Sequence, residues 1–153
     1  STDSPNTPWF ITGAFIEGHE GTGEVLSTLD EDMANFLRKL AAEGTLRDTA
    51  LFIVADHGLH MGLNFVYTTN GIIEHANPAF FALLPESMLN KEQMETLDHN
   101  EQALMTANHV YHTLRDALKL PASNPELSLL QTKLPLDATC STAGIEDEYC
   151  QCK

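Results

Sequence analysis

Basic residues are scarce in this chain. Eight lysines and arginines stand against 22 aspartates and glutamates, a formal net charge of −14. So acidic a protein repels phosphate backbones and anionic headgroups, which excludes nucleic acid as a partner and leaves cations as the natural charged ones. Long apolar runs are missing too: none approaches the ~18 residues of a membrane-spanning helix, so no membrane segment is expected in this chain. Cysteine is absent until late, and Cys140, Cys150 and Cys152 all fall in the last fourteen residues. A disulfide knot, a metal clip or free thiols all suit that spacing, and the odd count leaves one cysteine without an internal partner. The tail has no histidine, which weighs against zinc. Oxidised cysteines in a secreted or lumenal setting are therefore expected. An initial methionine is also missing. The start S-T-D-S-P-N-T-P reads as processing, trimming or a fragment, so the lack of a signal peptide carries no statement about location.

What is present suits one globular domain: 153 residues with an apolar fraction of 42%. The most informative stretch is Leu51 to Gly62, L-F-I-V-A-D-H-G-L-H-M-G. A five-residue apolar run is what a strand buried on both faces of a parallel sheet looks like, and ligands of open α/β sheets gather at the carboxyl ends of such strands. Here the run ends in Asp56 and His57, a hard carboxylate beside a borderline imidazole, which is a natural half-site for a divalent cation. Gly58 permits the sharp turn that lets both side chains converge. The plain alternative is a turn with an aspartate cap and a hydrogen-bonded histidine.

Trp9 to Glu17, W-F-I-T-G-A-F-I-E, reads as an earlier strand, followed by the glycine-rich loop G-H-E-G-T-G-E that carries His19. Thr28 and Glu31 have capping-box spacing. Leu29, Met33, Phe36, Leu37 and Leu40 keep helical period until Gly44. This β-α-β order predicts two parallel strands whose histidine-bearing turns share one sheet edge, placing His19 near Asp56 and His57. Residues 62–77 show no period and read as a long loop over that edge. Pro78 to Leu84 reads as a third strand closed by Pro85. A helix is expected over Lys91 to Ala103, then another capped by Thr106 and ended by Pro121. The chain thus divides into an α/β part, 1–121, and an extended cysteine-containing tail, 122–153.

V-A-D-H-G-L-H-M-G at 54–62, the helix and lead-in L-D-E-D-M-A-N-F-L-R-K-L-A-A-E-G-T-L-R-D-T-A at 29–50, G-I-I-E-H-A-N-P-A-F-F-A-L-L-P at 71–85 and the cysteine-bearing tail resemble, in this order, the sulfatase-like branch of the alkaline phosphatase superfamily. The tail is similar to the end of a little-characterised eukaryotic branch whose domain has no assigned function. The resemblance implies an α/β fold, a mostly parallel sheet flanked by helices, of which this chain is the C-terminal part. It implies one divalent metal ion, calcium, zinc or manganese, with Asp56 and His57 as ligands. It implies a catalytic or metal-binding place for His19, and it matches Glu74 to a family glutamate that we take with His60 as substrate-binding. Two-metal relatives carry aspartate four residues before the histidine matched by His19; here Phe15 stands there, which points to one metal or none. The family's nucleophile and its first acidic ligand have no counterpart in this chain, which implies the remainder of a catalytic domain upstream.

The expected function is a metal-dependent hydrolase or transferase acting on phosphate or sulfate esters, as part of a longer enzyme. In it the cation acts as a Lewis acid, and imidazoles hold the equatorial oxygens or protonate the leaving group. The alternative is a non-catalytic sulfatase-like scaffold with a binding or structural role. A third reading, loose cation binding by the acidic surface, predicts that His57→Ala changes nothing. His75 is a weaker candidate than His60, and His99, His109 and His112 read as surface or boundary positions on helices. Ser27 and Thr28 read as caps rather than nucleophiles.

Overall fold

The computed structural model describes residues 9–151. It is mostly helical. Helix α1 (Glu24–Ser27) leads into α2 (Asp30–Ala42), followed by strand β1 (Leu51–Val54), helices α3 (Gly62–Tyr67) and α4 (Thr69–Ala76), strand β2 (Phe80–Leu83), and helices α5 (Lys91–Asn100) and α6 (Ala107–Ala117). Helix α2 occupies the periodic stretch and stops where Gly44 takes a left-handed φ of 78°. Its capping box is not formed: the Thr28 hydroxyl donates back to the Val25 carbonyl. Helices α5 and α6 begin at Asn90 and Thr106, as the sequence leads one to expect. Asn90 accepts from the Gln93 amide while Gln93 returns the bond to the Asn90 N–H. At Thr106 the backbone N–H donates to Nδ1 of His109.

The mostly parallel sheet is not found among the described residues. β1 and β2 form a two-stranded antiparallel sheet with Leu51 opposite Leu83 and Val54 opposite Phe80. The direction is set by the residues between them. Residues 62–77, expected as a loop, fold into α3 and α4, which return the chain to the end where β1 finished. There Gly58 N–H donates to His75 O and Ala55 N–H to Ala79 O, so β2 starts beside the end of β1 and runs back along it. The stretch from Trp9 to Glu17 does not become a strand. It is irregular, and Ile11 and Ile16 are 77% and 80% exposed. Strand propensity without a neighbour to take its N–H and C=O groups gives no strand.

The most buried apolar side chains are Leu129, Leu130, Leu134 and Cys140, all in the segment after α6. That segment is a series of turns rather than an extended tail. It is held by buried polar groups on α5 and α6. Asn100, 1% exposed, donates to the carbonyls of Leu129 and Thr132 and accepts from the Leu134 amide. Thr113 accepts from the Leu129 amide. A disulfide joins Cys140 to Cys150. Cys152 lies outside the described residues.

Elsewhere apolar groups face outward. The chain exposes 11305 Å², against about 7,600 Å² for a folded monomer of its mass. Trp9, Phe10, Phe15, Leu63, Val66, Tyr67 and Phe81 are among the exposed large side chains.

Candidate functional site

The strand β1 delivers Asp56 and His57 just past its end, and Gly58 fixes the turn beyond them. Its Cα lies so close to α4 that an added Cβ would sit 1.9 Å from Glu74 O, so no side chain fits there. Gly62 does the same for the earlier loop. It has a left-handed φ of 83°, and an added Cβ would sit 1.9 Å from Gly21 O. These two backbone approaches pin the loop of His19 and the C-terminal end of α4 against the turn after β1.

Four imidazoles meet as a result. The His57 and His60 ring centroids are 4.7 Å apart, His57 and His75 5.5 Å, His60 and His75 5.9 Å, and His19 and His60 5.5 Å. Phe65 of α3 and Tyr149, beside the disulfide, flank His75 at 5.4 and 6.1 Å. Sequence reading grouped His19, His57 and His60 but set His75 aside. The available signal was its place next to Glu74 in a short helix that comes after Gly58 and must pack back on it. Glu74 itself turns towards α3, where its Oε2 accepts from Asn64 Nδ2 at 3.1 Å.

Asp56 and His57 suit two ligands of one ion. Asp56 Oδ2 lies 3.6 Å from His57 Nε2, close to the ~3.4 Å edge expected between donors about 2.1 Å from a tetrahedral ion. His57 Nδ1 is 2.7 Å from Gly58 O. A carbonyl takes the ring N–H, which leaves Nε2 as the electron-pair donor. Asp56 Oδ1 accepts the His57 amide at 3.0 Å. That bond holds the exposed Asp56 carboxyl below its ordinary pKa. Among the described residues no group of three or more His, Cys, Asp or Glu side chains is arranged to hold a metal ion. The fit is that of a half-site.

Beside Asp56 runs a groove of about 540 Å³ between the sheet, the start of α6 and the disulfide turn, lined by Val54, Phe80, Met105, Val110, Ile145 and Tyr149 among others. No helix among the described residues is long and apolar enough to cross a membrane. In comparison with known proteins, a family profile described as "Protein of unknown function (DUF229)" matches residues 16–153. No curated protein and no solved structure matches.

Proposed function

The chain belongs to the DUF229 family, a sulfatase-like family of the alkaline phosphatase superfamily, and from that premise we propose that it is part of a metal-dependent hydrolase or transferase acting on phosphate or sulfate esters. The observation that carries the reading is the Asp56–His57 pair: two donors at 3.6 Å, with the imidazole tautomer set by the Gly58 carbonyl. Asp56 Oδ2 and His57 Nε2 would hold one divalent cation, which would supply Lewis-acid polarisation of the ester oxygen. His19 and His60 face the same space. Protonated, either can hold an equatorial oxygen of the ester or give its proton to the leaving group. Glu74, matched by resemblance to a substrate-binding place, is turned to Asn64 of α3 and takes no substrate contact in this reading. The apolar groove beside Asp56 is in the range of small-molecule sites and takes the non-reacting part of the ester.

The nucleophile comes from the remainder of a catalytic domain. The exposed apolar side chains, and an accessible surface roughly one and a half times that of a compact monomer, support such a partner. The Cys140–Cys150 disulfide supports a secreted or lumenal setting. The direct test is hydrolysis of p-nitrophenyl phosphate and p-nitrophenyl sulfate by the native protein, with calcium, manganese or zinc supplied in turn after chelation. Turnover restored by one of the ions and lost in His57→Ala supports the enzyme. A folded protein inert towards both esters with every ion points to the scaffold reading.

A further inference from the structure

The groove beside Asp56 has walls that restrict what it takes. None of the described residues lining it is lysine, arginine or histidine, and Asp56 is the one charged side chain among them. Two of the polar side chains there are turned back into the protein. Thr106 Oγ1 lies 3.1 Å from His109 Nδ1, and Asn77 Nδ2 donates to Ile73 O at 2.8 Å. The rest is mainly hydrocarbon. Val54 and Phe80 stand opposite each other in the sheet, Met105 and Val110 flank the start of α6, and Ile145 comes from the turn that Cys140–Cys150 closes. Groove and half-site are continuous: Asp56 belongs to both, and Tyr149 on the groove wall has its ring 6.1 Å from that of His75.

An ester whose anionic head sits at the Asp56 end extends its alcohol part along these walls. No described cation there meets a second anion, and few free polar groups meet hydroxyls. A sugar or a nucleotide in that place leaves hydroxyls or a further phosphate unpaired, and each unpaired group costs binding. An apolar group is favoured in proportion to the area it removes from water. The volume of about 540 Å³ is in the range that encloses most of a drug-sized molecule, well beyond a methyl or ethyl group. We infer that the alcohol part of the substrate is an uncharged hydrocarbon, alkyl or aryl, lying against Phe80, Met105, Val110 and Ile145, which rests on the ester reading above and names its substrate class.

The test has two arms, both on the native protein. In the first, straight-chain primary alcohols from butanol to decanol are titrated, with no ester and no metal added, while the methyl signals of Met105, Val110 and Ile145 are followed by NMR. The three should shift together, with affinity rising roughly 4-fold per added methylene until the groove is full. In Val110→Phe the rise should level off at a shorter chain. The second arm measures kcat/KM for alkyl phosphates and alkyl sulfates of the same lengths, with and without a carboxylate at the far end. It should climb with chain length by a similar factor and drop roughly 10-fold or more with the terminal carboxylate. Alcohols that shift none of the three methyls, hydrolysis indifferent to chain length, or a gain from the terminal carboxylate overturns this inference, and esters still turned over then leave the hydrolase standing. Alcohols that bind with rising affinity to a protein inert towards every ester sink the hydrolase and keep the groove as a hydrocarbon-alcohol site.

Discussion

Around α5, α6 and the segment after them, the structure closes through side chains that reach far along the sequence. Asn100 bonds Leu129, Thr132 and Leu134, Thr113 bonds Leu129, and a disulfide ties the end. Around the histidines it closes through backbone lying on backbone at Gly58 and Gly62, while the apolar side chains nearby stay exposed. The first region has its own small core. The second has shape without burial, which is what a surface built to be covered looks like. Stability and site geometry therefore reside in different residues and should respond to different substitutions.

The sharpest break of the first region is Asn100→Ala. It orphans the carbonyls of Leu129 and Thr132 and the Leu134 amide, and a loss of about 4 kcal/mol is expected in urea unfolding, with metal binding by the remaining folded fraction unaltered. Next comes reduction of Cys140–Cys150. Opening a loop with a sequence separation of 10 should cost roughly 3 kcal/mol by chain entropy. Gly58→Ala probes the second region. The new methyl must displace α4 from the turn, costing about 2 kcal/mol. Its effect on metal affinity should exceed that of Asn100→Ala, the reverse of the order for stability.

The smallest effect is a pH dependence in the first region. Burial, then the neighbouring His112, lowers the His109 pKa below its ordinary value, so its neutral form is the folded one. Its Nδ1 accepts the Thr106 amide at the start of α6. The unfolded chain binds the proton more readily, so this contribution is present above about pH 6.5 and is lost as the pH falls through the ordinary and then the lowered value. Melting temperatures recorded from pH 7.5 down to 5 should fall more steeply in the wild type than in His109→Gln. Equal slopes would show that His109 does not carry the effect.

The sequence was most readable where local rules suffice. Period and caps located α2, α5 and α6, and apolar runs bounded by proline or by Asp-His located β1 and β2. It misled where structure depends on partners. W-F-I-T-G-A-F-I-E has strand composition but no neighbouring strand among the described residues. T-N-G-I-I-E-H-A is too short for its helical period to show, although Thr68, whose hydroxyl accepts from the Gly71 amide, was a cap in plain view. The leucines of residues 127–136 looked like a tail because nothing local announces that Asn100 will bond to them. At the site, Asp56, His57, His60 and His19 were grouped by their place at strand ends. His75 was ranked below them, and the helix that brings its ring beside His57 was read as a loop.

The most direct test of the central claim, that the turn after β1 is a divalent-metal site of an ester-processing protein, is the metal content of the native protein by elemental mass spectrometry. One divalent ion per chain, missing from His57→Ala protein of unchanged melting temperature, is the predicted result. Native protein with no bound ion, or with the same ion content after His57→Ala, would contradict it.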